Sequence, residues 1–132
     1  ELTGKVKKGH GSKIAWEVLE NGKAWKKMQE IIKAQGGNSN IQPDDITLGA
    51  HKKYLTAYKS GRISFTDNKV INIIARILGA PSDKLGGVYL NKEFDDRVKK
   101  GERLFTLYSS NKQKINLAVK ALGKISIFKI NK

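Results

Sequence analysis

A chain of 132 residues with 39% hydrophobic residues and 13 glycines is long enough for one compact domain with an appendage, and its composition lies outside the disordered range. It has no cysteine, which excludes disulfides and thiolate metal sites, and no apolar run approaches the length of a membrane helix. The formal charge of +14 rests on 22 lysines and only 4 arginines, spread along the whole chain. Phosphate and base recognition favours the arginine fork, so this excess reads as a solvated, thermophile-type surface rather than a nucleic-acid footprint.

No basic-then-apolar leader is visible, and a cytoplasmic location is expected. The chain opens at Glu1, not Met, and Leu2-Thr3-Gly4-Lys5 reads as the middle of a longer protein. Residues 4–11 form a glycine-rich basic loop without the spacing of a phosphate-binding fingerprint, so they read as a connecting loop. Ser12 is placed to cap a helix from Lys13 to Glu20, with Ile14, Ala15, Val18 and Leu19 on one face. Asn21-Gly22 ends it. A second helix is expected from Lys23 to Ala34, with Ala24, Trp25, Met28, Ile31 and Ile32 together and Gln35-Gly36-Gly37 as its stop. Two short amphipathic helices must cover their apolar faces, and this pair invites a core shared with sequence outside the chain.

Residues 36–45 have the composition of a linker. The domains are therefore placed at 1–38, a helical segment, and 39–132. In the second, Ile46–Ala50 and Lys53–Tyr58 read as strands, Ser60-Gly61 as a hairpin turn and Arg62–Phe65 as the return strand. Thr66 or Asp67 caps a helix running to Leu78, which Gly79 and Pro81 terminate. Gly86–Leu90 reads as a strand and Asn91–Asp96 as a polar excursion. Leu104–Tyr108 reads as another strand, and Ser110 as the cap of a helix from Lys112 to Leu122. Gly123 closes that helix, and a terminal strand is expected from Lys124, with Ile125 and Ile127 alternating. Strands joined both by tight turns and by single helices indicate α+β.

The catalytic inventory is empty. His10 and His51 are the only histidines and lack ligand spacing, so each reads as a surface or capping residue. Asp44-Asp45 and Asp95-Asp96 read as solvated turn caps, not as a catalytic pair. No nucleophile elbow, phosphate loop or metalloprotease motif occurs. No catalytic, cofactor-binding or metal-binding residue is assigned. Tyr54, Tyr58, Phe65, Tyr89, Phe105 and Tyr108 beside the lysines suggest a stacking platform for single-stranded nucleic acid, or more simply a small β-core. A basic nucleic-acid-binding β-module therefore stands as the alternative reading of the chain. In Val98-Lys-Lys-Gly-Glu-Arg-Leu104, Gly101 permits a tight reversal and the flanking apolar residues enter a sandwich. The turn resembles a lobe of biotinyl and lipoyl carrier domains, but the Met- or Ala-flanked lysine those carriers modify is missing, so carrier function is not expected.

Asn21-Gly-Lys-Ala24 with Gln35-Gly-Gly37 resembles the paired motifs of the thymidine and pyrimidine nucleoside phosphorylase family. Leu78-Gly-Ala80, Gly86-Gly-Val88 and Val98–Leu104 follow in that family's order. The variant Ala75-Arg-Ile-Leu-Gly-Ala-Pro-Ser-Asp-Lys84 is similar to the archaeal AMP phosphorylase branch. The resemblance implies a C-terminal domain of the α/β-hammerhead type, related to barrel-sandwich folds, with residues 1–38 belonging to or docking on a central domain. It implies phosphorolysis of an N-glycosidic bond by the full-length enzyme, with inorganic phosphate as co-substrate and no cofactor. It further implies upstream catalytic domains as partners, assembly into a homo-oligomer, and no role for nucleic acid or membrane. No position here matches the family's catalytic motifs.

Overall fold

The computed structural model describes all residues, Glu1–Lys132. The chain divides into two compact units, Glu1–Ile46 and Thr47–Lys132, so residues 39–46 fall with the first.

The first unit holds two helices, α1 (Gly11–Glu20) and α2 (Lys23–Ala34). The expected Ser12 cap does not form, because α1 starts two residues earlier than expected, at Gly11, and leaves Ser12 inside its first turn. Instead the Glu1 carboxylate accepts hydrogen bonds from the backbone of Gly9 (3.0 Å) and Gly11 (2.8 Å). A negative group there satisfies donors that have no partner in the helix and sits at the positive end of its dipole. Gly22, at φ 75°, turns the chain into α2, whose bounds agree with the sequence reading. No residue of either helix is buried. The stretch read as a linker contains a 3-10 turn, Pro43–Asp45, locked by Gln42 N–H donating to the Asp45 carboxylate at 2.8 Å.

In the second unit the elements are β1 (His51–Thr56), β2 (Gly61–Thr66), α3 (Asn68–Leu78), β3 (Gly87–Leu90), β4 (Arg97–Val98), β5 (Arg103–Ser109), α4 (Lys112–Leu122) and β6 (Phe128–Asn131). They form two three-stranded antiparallel sheets, ordered β1-β5-β3 and β4-β2-β6. The class is α+β, as the sequence indicates. Helix α3 packs on β3 and β5, and α4 on β5 and β1.

Four local expectations need correction. Ile46–Ala50 is not a strand; Gly49 instead donates its N–H to the Leu85 carbonyl at 2.9 Å and lies so close to β5 that a Cβ would sit 2.3 Å from the Ser109 carbonyl carbon. Ser60-Gly61 is not a hairpin turn, because β1 and β2 belong to different sheets. The connection is strapped to the Val98–Leu104 turn: Ala57 N–H donates to the Glu102 carbonyl and Gly101 N–H to the Ala57 carbonyl, both at 2.8 Å, and Lys100 N–H donates to Ser60 Oγ at 2.9 Å. Asn111, not Ser110, caps α4 by accepting from Gln113 N–H at 2.7 Å, while Ser110 Oγ donates to the Asp83 carboxylate. The last strand begins at Phe128, not Lys124, because β6 pairs with β2 only from Thr66↔Phe128 onward. Asp67 settles the other open cap: its carboxylate accepts from Lys69 N–H (2.9 Å) and Val70 N–H (3.1 Å).

One apolar core joins both sheets and both helices. Ile63 and Ile130 come from one sheet, Leu107 from the other, and Ile74 and Leu78 from α3; all are essentially sealed from solvent. The Phe105 and Phe128 rings meet edge-on with centroids 6.0 Å apart, linking the two sheets. Each such side chain contributes about 1.5–3 kcal/mol by leaving water. Val98 and Leu104, on either side of the Gly101 turn (φ 85°), both enter this core. The strand β5 is the central strand of its sheet, and all of its residues but Arg103 and Tyr108 are buried.

Candidate functional site

Catalytic groups are recognised by burial, convergence and pKa values moved toward neutrality. Here His10 lies ahead of α1 and His51 opens β1, both exposed. No three His, Asp or Glu side chains gather as metal ligands. The two Asp pairs serve turns: Asp45 accepts from Gln42, Asp96 accepts from Glu93 N–H at 2.9 Å, and Asp95, at φ 75°, pairs with Arg62 at 2.7 Å.

The perturbed groups move away from neutral pH. The Lys92 ammonium donates to Glu102, and with the Lys99 N–H it holds the Glu102 carboxyl below its ordinary value. The same bond, 2.7 Å long, raises Lys92. Asp83 is lowered by the Ser110 hydroxyl and then by the Leu85 N–H, and Glu30 by Lys27. These are structural carboxylates that stay charged, which suits turns and not proton transfer.

The aromatic residues do not form a β-core, contrary to the simpler expectation. Of these six only Phe105 is buried, against Phe128; Tyr54, Tyr58, Phe65 and Tyr89 are exposed and Tyr108 is half-buried. The register explains this. Leu55, Phe105 and Leu90 align on the core side of their sheet, which puts the neighbouring row Tyr54, Thr106 and Tyr89 on the other. Thr106 is sealed between them and donates its hydroxyl to Asn91 Oδ1 at 2.9 Å. The Arg103 guanidinium stacks 3.7 Å from the Tyr54 ring centre.

Two open grooves of similar size stand out. One, of about 570 Å³, lies between Arg62, Arg97, Lys99, Glu102 and Lys132, with Gly61 and Val98 at its base. The other, of about 550 Å³, lies along the outer side of α3 between Lys69, Asn72, Arg76 and Pro81. Neither was legible in the sequence, because each is lined from segments distant along the chain or by a helix face whose neighbours only folding supplies.

The first unit presents a different surface. Ile14, Trp16 and Leu19 of α1 and Trp25, Met28 and Ile31 of α2 are all exposed.

The second unit is thus a two-sheet α+β domain. The chain belongs to the pyrimidine nucleoside phosphorylase C-terminal domain family, which matches residues 62–128, half of its length. Among curated relatives it is 43% identical over 119 residues to an AMP phosphorylase of Thermococcus kodakarensis, covering 90% of this chain and 24% of the relative. It is 40% identical over 130 residues to one of Pyrococcus abyssi, covering 98% and 26%, and 42% identical over 119 residues to one of Methanosarcina acetivorans, covering 90% and 24%. The chain therefore spans about a quarter of the length of these relatives. No helix is long and apolar enough to cross a membrane.

Proposed function

We propose that this chain is the C-terminal structural and assembly domain of a cytoplasmic nucleoside-monophosphate phosphorylase. The full-length protein would convert AMP and inorganic phosphate to adenine and ribose 1,5-bisphosphate, with no cofactor. The family match and the relatives named AMP phosphorylase support the class. In this reading the catalytic residues lie in upstream domains, and residues 39–132 form the family's α/β-hammerhead.

The observation that carries the reading is the pair α1 and α2, ten and twelve residues long with none buried. Helices this short are marginal in water without a packed face. A helical segment over residues 1–38 with six large apolar side chains exposed fits docking on the central domain of the same protein, and the assembled enzyme is read as a homo-oligomer. Phosphorolysis assays with AMP, CMP, UMP and thymidine test it. The isolated chain should turn over none of them, and turnover would overturn the assignment of catalysis to upstream residues.

The Tyr54, Tyr89 and Arg103 surface favours a second reading, a platform for single-stranded nucleic acid. Titration with labelled single-stranded DNA at rising salt tests it, since a true platform binds tightly at low salt with a steep salt slope.

A further inference from the structure

Arg62 of β2 and Arg97 of β4 stand directly opposite each other in the register of their antiparallel pair. Side chains so placed leave the same face of the sheet, and like charges in that position repel. The chain has four arginines among its 26 cationic residues, and two of them meet here, at the wall of the 570 Å³ groove. Asp95 offsets Arg62 at 2.7 Å, but Arg97, Lys99 and Lys132 have no carboxylate within ion-pair distance. Glu102, the one acid lining the groove, is already engaged by Lys92.

A local arrangement that opposes stability is expected at sites kept for binding. A guanidinium offers a planar N–H fork that matches the oxygens of a phosphate group, which a lysine ammonium does not; the Arg62 fork is shared with Asp95, while Arg97 makes no ion pair. The groove, about 570 Å³, falls in the range that holds small ligands. A Cβ at Gly61 would sit 2.0 Å from the Asn131 carbonyl oxygen.

We propose that the Arg62–Arg97 groove is a binding site for a phosphate monoester. The ligand is a small phosphorylated sugar or nucleotide whose dianionic head lies across the two guanidiniums, with Lys99 beside it. The lining residues all belong to this chain, and the proposal does not rest on the catalytic reading above.

The experiment is calorimetric titration of the 132-residue chain at low salt with ribose 5-phosphate, inorganic phosphate, adenosine and a single-stranded oligonucleotide. Ribose 5-phosphate should bind at one saturable site, inorganic phosphate should compete with it, and adenosine should not bind. Arg97→Gln should weaken ribose 5-phosphate about tenfold or more. Arg97→Lys, which keeps the charge and loses the fork, should fall between. Because the opposed pair is repulsive, ligand-free Arg97→Gln should melt at or above the parent temperature and Arg97→Glu higher still. Failure of ribose 5-phosphate to saturate, or unchanged affinity in Arg97→Gln, overturns the proposal. So does binding confined to the oligonucleotide, which would assign the groove to nucleic acid. A lower melting temperature in both Gln and Glu variants overturns the claim that the pair is held against its own repulsion.

Discussion

The Ser109 hydroxyl donates to the Leu78 carbonyl at 2.7 Å inside the protein, tying the end of β5 to the last turn of α3. It also accepts the Asn111 N–H at 3.2 Å, at the entry to α4. One buried side chain therefore links a strand and both helices of the second unit. Ser109→Ala leaves the Leu78 carbonyl without this donor and Asn111 N–H without this acceptor. It should cost about 1–3 kcal/mol, read as a lower urea midpoint at unchanged slope. An unchanged midpoint would mean that water replaces the hydroxyl.

Gly49 and Gly101 separate close approach from backbone conformation. Gly101 has φ 85° and open space around its missing Cβ, so Gly101→Ala should cost only the left-handed penalty, about 1–2 kcal/mol. At Gly49 a Cβ would lie 2.3 Å from the Ser109 carbonyl carbon and 2.5 Å from its oxygen, both backbone atoms. Gly49→Ala should be the more damaging of the two in thermal unfolding. The reverse order would show that the 47–50 strap detaches at little cost.

The caps give a paired test. Asp67→Ala and Asn111→Ala each remove an oxygen that accepts helix N–H groups, and each should destabilise by about 0.5–2 kcal/mol. Ser110→Ala touches no helix N–H and should instead release Asp83, moving its carboxyl back toward its ordinary value, measurable by NMR titration.

Glu102 and Lys92 predict a pH dependence at both extremes. Glu102 is depressed below 4.5 when folded, so its contribution is present above 4.5 and lost as pH falls through the depressed value. Lys92 is raised above 10.5, so its contribution is present below 10.5 and lost as pH rises through the raised value. Glu102→Gln should flatten both limbs of a melting-temperature profile and leave the neutral region little changed, since the pair is exposed.

Core and helix-pair substitutions should behave oppositely. Ile74→Ala opens a sealed site and should cost about 2–5 kcal/mol. Trp25→Ser with Met28→Ser replaces side chains that are 44% and 49% exposed, so unfolding of the second unit should hardly change. Sedimentation should show less self-association of the chain, and docking to the catalytic part of the full-length protein should weaken.

Much of the fold was legible along the chain. The bounds of α2 and α4 follow from helical spacing closed by glycine, and the end of α3 from Gly79. Strand partnership was not legible. Alternation reports that a segment is extended, and two extended segments beside Ser60-Gly61 resemble a hairpin whether or not they pair. Lys124–Ile127 likewise alternates yet stays out of the sheet, because β2 offers hydrogen-bond partners only from Phe128. The aromatic residues misled for a related reason: spacing of two reveals a face, and only the second layer decides which face is covered.

Local covalent chemistry, and the order of motifs along the chain, determined by themselves the helices and the family. These depend on neighbours a few residues apart. The tertiary structure decided which strands share a sheet, which tyrosines meet water and that Arg62 faces Arg97. Those outcomes depend on backbone hydrogen bonds and packing between segments far apart, where a side chain's identity does not specify its partner.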